Sequence, residues 1–191
     1  TVQLSEAVLA RIHFVVHFGE NADRTVDEAT LEAQLAATTR SWSDELSQAL
    51  LEHSGEAAGT RLQQTYGTAF NAAYREDTSP RNAAQDIERL ESLDRHDGLV
   101  ISLYRPLEAM AGQLRLKLYH SGEPITLSAV LPVLEHMGVQ VVDERPYAIH
   151  PSEGEPCWIH DFGLEHDPSV AFDSGQLRES FQSAFAAIWR G

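Results

Sequence analysis

The stretch GQLRLKLYHSGEPITLSAVLPVLEHMGVQVVDERPYAIH, Gly112 to His150, decides how the chain folds. Its first part alternates. Leu114, Leu116 and Leu118 interleave with Arg115, Lys117 and Tyr119, the period-two pattern of a strand with one apolar face. The period then lengthens. Leu127, Val130, Leu131, Leu134 and Met137 recur at helical spacing, and Gly138 ends the run. Pro132 falls inside this helix and is expected in its first turns, where a missing N–H costs little. From Val139 the chain returns to branched and aromatic residues. The stretch therefore reads strand, helix, strand.

Working toward the amino terminus, GLVISLYRP (98–106) is a further strand, joined to the first by the short connection LEAMAG. Before it lies helical sequence. Ser79 caps a helix whose first residue is Pro80, with Ala83, Ile87 and Leu90 facing inward and Asp86 and Arg89 as surface neighbours. Ser41 or Ser43 opens an earlier helix and Gly55 closes it; GEAAG at Gly55–Gly59 reads as a helix break. GTRLQQTYGTAFNAAY continues helical, with Leu62, Tyr66 and Phe70 on one face. Thr25 and Glu28 form a capping-box pattern, and Ala10–Phe18 alternates as a strand. Toward the carboxyl terminus, PCWIHDFGLEHD is a strand and SGQLRESFQSAFAAIWRG a helix with Leu177, Phe181, Phe185 and Ile188 in line. The order implies an α+β fold: an antiparallel or mixed sheet covered by helices on one side, with a helical insertion before it. Residues 1–97 form a leading strand plus helical block, and 98–191 the α+β domain.

The chain has 191 residues and a formal net charge of −15. That balance excludes nucleic acid and anionic membrane surfaces as partners, since both need concentrated Lys and Arg. Lys117 is the single lysine, so any lysine chemistry rests on it. The one cysteine, Cys157, allows no disulfide within the chain and points to a reducing, cytoplasmic setting. The chain opens at Thr1 and reads as a segment of a longer protein.

No motif assembles a catalytic site. On a strand, His13 and His17 lie roughly 13 Å apart, too far to share a metal ion. Cys157, Ile159 and Asp161 point to one side of their strand and Trp158, His160 and Phe162 to the other, so Cys157 and His160 cannot pair. His160 and His166 are likewise too far apart for one ion. Gly-x-Gly occurs nowhere, so the dinucleotide and phosphate-loop fingerprints are missing. Asp143 and Glu144 alternate faces and form no carboxylate dyad; Asp143 and Arg145 share a face as an exposed ion pair. Catalytic, cofactor and metal residues are accordingly none. Spacing alone describes a domain for binding or assembly.

Three blocks carry a resemblance: AYREDTSPRNAAQDIERLESL (73–93), TLSAVLPVLEHMGVQVVDERPYAI (126–149) and WIHDFGLEH (158–166). With RSWSDELSQAL before them, they resemble the amino-terminal regulatory region of the large bacterial NAD-dependent glutamate dehydrogenases. The resemblance implies a parent enzyme that converts L-glutamate, NAD and water to 2-oxoglutarate, ammonium and NADH. Its catalytic and NAD-binding parts would lie downstream, leaving no cofactor in this segment. It also implies an ACT-like, ferredoxin-like sheet tied to allostery and oligomerisation, with other domains or subunits of the same enzyme as partners.

An ACT unit runs strand–helix–strand–strand–helix–strand. The five elements from Gln113 onward supply all but the last strand, which is either beyond Gly191 or replaced by LVISLYRP. ACT domains that bind amino acids do so near the first strand–helix loop. Here that loop makes Ser121, Gly122 and Glu123 the candidate effector site, although Glu123-Pro124 departs from the usual proline-then-glycine. Arg75, Glu76, Asp77 and Arg81 are the candidate interdomain contact, with the two arginines pairing the acids. The alternative to a regulatory and oligomerisation segment is a self-standing amino-acid-sensing ACT-like module.

Overall fold

A computed structural model of the chain describes residues 41–93, 98–167 and 175–190. The chain divides after Arg40, and everything below belongs to the unit that begins at Ser41. The strand expected at Ala10–Phe18, with His13 and His17, and the helix expected from Thr25 lie outside the described residues.

Four helices come first: α1 (Trp42–Ser54), α2 (Glu56–Tyr66), α3 (Ala72–Asp77) and α4 (Pro80–Glu91). Ser41, not Ser43, opens α1. Its hydroxyl accepts from the Asp44 N–H, and the Asp44 carboxylate accepts from the Ser41 N–H, a reciprocal capping box. Gly55 ends α1 at φ +80°. However, α2 starts at the next residue, so Gly59 is no helix breaker. A Cβ on Gly59 would stand 2.7 Å from the Leu50 carbonyl oxygen, so this glycine lets two helices touch backbone to backbone. α2 stops at Tyr66 rather than running on to Tyr74. Phe70 then forms an isolated bridge with Ile149, and Asn71 caps α3. Ser79 caps α4 with Pro80 at its first turn, as the sequence predicts.

The remainder is β1 (Leu99–Tyr104), β2 (Gln113–Ser121), α5 (Leu127–His136), β3 (Gln140–Ile149), β4 (Cys157–Glu165) and α6 (Gly175–Arg190). The strands form one antiparallel sheet in the order β1-β2-β4-β3. β1 thus stands at the edge where an ACT unit sets its fourth strand, the second of the two arrangements the sequence allowed. The outer edge of β1 is partly closed: the Leu103 N–H donates to Gln182 Oε1 of α6 at 2.8 Å. Pro146 lies in β3, an edge strand, where a proline removes no needed ladder bond.

One face of the sheet carries Leu114, Leu116, Leu118, Phe162 and Leu164. Val130 and Leu134 of α5 and Phe181 and Phe185 of α6 pack on it. The stripes are narrower than their spacing suggests. Leu127 and Ile188 are exposed, and Trp189 stacks on Phe185 instead. Pro132 sits mid-helix in α5 rather than in its first turns, and its side is exposed. The second face is not bare, contrary to the one-sided cover expected. Tyr119, Tyr147, Ile149, Cys157 and Ile159 share a core with α1–α4. An aromatic chain stitches this joint. Trp42 meets Phe70 at 5.6 Å, Phe70 stacks on Tyr74 at 4.5 Å, and Tyr74 meets Tyr147 edge-on at 5.2 Å between centroids.

Candidate functional site

The helical block covers only half of that second face. Register places Ser102 beside Lys117, Tyr104 beside Arg115, Lys117 beside Asp161, and Arg145 beside Asp161. These residues all point to the helical side, beyond the apolar half. Together with α4 and the β1–β2 connection they enclose a cleft of about 820 Å³.

Asp86 anchors it. This α4 carboxylate is 3% exposed and accepts three bonds: Tyr74 OH at 2.6 Å and Lys117 Nζ at 2.6 Å on Oδ2, and Tyr119 OH at 2.8 Å on Oδ1. Three donors satisfy a charge that would otherwise be very costly to bury. The expectation that Asp86 is a surface neighbour of Arg89 is therefore wrong: the sheet comes down upon it. Lys117 is itself buried, with Nζ 5.9 Å from the Tyr104 ring centroid. The lone lysine thus joins helix to sheet as one half of a buried ion pair.

Beside this pair, Arg115 bridges two strands. Its Nε donates to Asp161 Oδ1 at 2.9 Å and its NH1 to Asp143 Oδ1 at 2.9 Å. Burial works to lower the Arg115 pKa, but the two carboxylates outweigh it and the net shift is upward. Burial raises the Asp161 pKa, partly offset by Arg115 and Lys117. Asp143 reaches across the space above Gly163, where a Cβ would lie 2.7 Å from Asp143 Oδ2. Asp143 therefore pairs with Arg115, and Arg145 pairs with Asp77 at 3.2 Å, not with Asp143 as expected.

The structure does not bring the four candidate interdomain residues, Arg75, Glu76, Asp77 and Arg81, into one cluster. The Arg75 guanidinium lies 5.4 Å from the Trp42 ring centroid, and its Nε is buried without a hydrogen-bond partner among the described residues. Asp77 turns to β3, accepting from Tyr147 OH at 2.7 Å and pairing with Arg145. Glu76 and Arg81 are exposed. Among the described residues, Arg75 and Arg81 form no ion pair with the acids they flank, because the sheet supplies Asp77 with closer partners.

The loop Ser121-Gly122-Glu123 is tied down by its surroundings. Gly122, at φ +82°, donates its N–H to the Pro156 carbonyl at 2.9 Å and accepts from Trp158 Nε1 at 3.1 Å. The Glu123 carbonyl contacts His120 Nδ1 at 3.1 Å. Next to the loop, the buried His160 accepts from the Ile125 N–H at Nε2, which puts its proton on Nδ1, 2.9 Å from Glu144 Oε1. His160 and Glu144 therefore fasten the entry to α5. Ser121 lines a separate groove of about 250 Å³ with Glu91, Glu153, Glu155 and Cys157. Burial pushes the Cys157 thiol up, and its sulfur contacts only the Glu155 carbonyl, at 3.5 Å, among the described hydrogen bonds. A buried, protonated thiol is a poor nucleophile.

The Asp86–Lys117 pair was missed in the sequence. Its signals were the single lysine and an aspartate set beside the apolar stripe of α4.

A four-stranded antiparallel sheet in this order, with two helices on one face, is an α+β domain of ACT type, here joined to a helical block. Residues 98–177 match the family model described as glutamate dehydrogenase, ACT3 domain. Residues 49–93 match glutamate dehydrogenase, helical motif 2, and 1–43 match its ACT2 domain. The chain is 42% identical over 188 residues to the NAD-specific glutamate dehydrogenase of Halomonas elongata. It is 39% identical over 187 residues to that of Pseudomonas aeruginosa, and 28% over 208 residues to that of Mycobacterium tuberculosis. These alignments cover 98%, 98% and 100% of the chain and 12% of each relative. The chain belongs to the glutamate dehydrogenase family, within its ACT-domain and helical-motif region, and spans about an eighth of the relatives' length.

Proposed function

We propose that this chain is a non-catalytic regulatory and assembly segment of a large NAD-dependent glutamate dehydrogenase. The observation that carries it is the succession of three family matches, ACT2, helical motif 2 and ACT3, along one chain. The whole protein would convert L-glutamate, NAD and water to 2-oxoglutarate, ammonium and NADH. The residues of this segment do not fit NAD: the sheet is antiparallel and no Gly-x-Gly loop is present. The match edges, 49–93 and 98–177, support taking 98–191 as the ACT-like unit and the residues before it as the leading block.

Its partners would be other domains or subunits of the same enzyme. Leu107, Met110 and Val142 are exposed apolar residues suited to such contacts, and Glu76 and Arg81 are exposed charges beside the joint. No described helix is long and apolar enough to cross a membrane. The lone cysteine supports a cytoplasmic location. The test is direct: the purified chain mixed with L-glutamate and NAD should form no NADH. Sustained NADH formation overturns the proposal.

A further inference from the structure

We propose that the cleft between α4 and the polar half of the sheet binds a small organic monocarboxylate. Its volume, about 820 Å³, falls in the range of small-molecule sites. Arg89, Arg105, Arg115, Lys117 and Arg145 all line it, in a chain with only 14 cationic residues and a net charge of −15. Such a concentration draws an anion toward one place on an otherwise acidic molecule.

The internal pairing decides which charge is left over. Asp86 is held by Lys117 and two tyrosines, Asp161 by Arg115, and Asp77 by Arg145 and Tyr147. Arg89 differs. It donates one hydrogen bond, from NH1 to the Gln85 carbonyl of its own helix at 3.0 Å, and makes no ion pair among the described residues. Its guanidinium lies 6.0 Å from the Tyr119 ring centroid, and that ring is fixed because Tyr119 OH is held by Asp86. Arg89 is therefore a planar, preorganised fork with N–H groups to give. Asn82, Gln85 and Ser102 line the same cleft and offer neutral donors.

The charge balance favours a single negative charge. Asp77, Asp86, Asp161 and Glu108 stand on the same walls. A compact dianion such as sulfate would meet their repulsion with only one uncommitted guanidinium to offset it. A planar carboxylate matches the fork in both charge and shape. Such binding is a property of the cleft and does not depend on the catalytic inertness proposed above.

Isothermal titration calorimetry of the chain with sodium butyrate, at constant ionic strength, tests this directly. Binding should saturate at one site with a Kd of about 1 mM, a weak affinity natural for so small a probe. Arg89→Gln should weaken it about tenfold, since a charge-assisted fork is lost. Arg178→Gln, which removes the same charge from α6 on the other face, should leave it unchanged. Arg89→Lys, which keeps the charge but not the fork, should give an intermediate loss. It also serves if Arg89→Gln unfolds. No saturable binding, sulfate binding as tightly as butyrate, or equal losses from Arg89→Gln and Arg178→Gln would overturn the proposal.

Discussion

Gly163 lacks a side chain because the Asp143 carboxylate passes over it to reach Arg115. Gly163→Ala should displace that carboxylate and cost roughly 1–2 kcal/mol, within the usual span for a strained substitution. Urea unfolding checks it, and an unchanged midpoint would show that Asp143 yields freely. Asp86 shows where sequence reading stops at this scale. Its place next to Ala83, Ile87 and Leu90 marks α4 correctly, yet its burial comes from residues 12, 31 and 33 positions away. Helical periodicity reports which face of α4 is apolar. It does not report that a strand with Lys117 and Tyr119 lies against the margin of that face. The candidate effector loop was legible as a turn, since Gly122 does adopt positive φ. The contacts from Trp158 and Pro156 that hold it could not be read locally.

At the scale of elements, the capping signals were the most readable features. Ser79→Ala should cost about 1 kcal/mol, because the Asn82 N–H loses the Ser79 hydroxyl. A shift in thermal midpoint measures it. Gly59→Ala sets two effects against each other. Alanine gains about 1 kcal/mol in helix propensity. The new Cβ, however, would stand 2.7 Å from the Leu50 oxygen and 2.8 Å from Leu51 Cα, both backbone atoms that cannot rotate away. Overpacking of that kind costs roughly 1–3 kcal/mol, so the variant should be less stable despite its better helix former. This is also why GEAAG misled: a glycine that permits helix contact looks, in one dimension, like one that ends a helix. The strand–helix–strand order from Gln113 onward was legible because the period changes sharply there. The helices on the second sheet face were not, because Arg115, Lys117 and Tyr119 spell a solvent face when their partners are unknown.

For the whole molecule, all five tyrosines have pKa values raised above their usual value of 10.0, with burial as the largest cause in each. The folded chain keeps its phenol protons when the unfolded chain loses them. Their contribution to stability is therefore complete below pH 10 and declines as pH rises above it. In an alkaline titration, tyrosinate absorbance should appear together with the loss of helical circular dichroism; tyrosinate forming in a folded chain would contradict this. Tyr74, Tyr119 and Tyr147, with the aromatic stack around Trp42, lie at the joint between helical block and sheet, and the buried Asp86–Lys117 pair locks that joint. A double-mutant cycle measured by urea unfolding reads out whether the two residues are coupled. Lys117→Met alone strands a buried carboxylate and should cost about 3–5 kcal/mol, whereas adding Asp86→Asn should recover a large part of that loss. If the two substitutions instead add to within roughly 0.5 kcal/mol, the residues are not coupled and the joint is held by the aromatic packing alone.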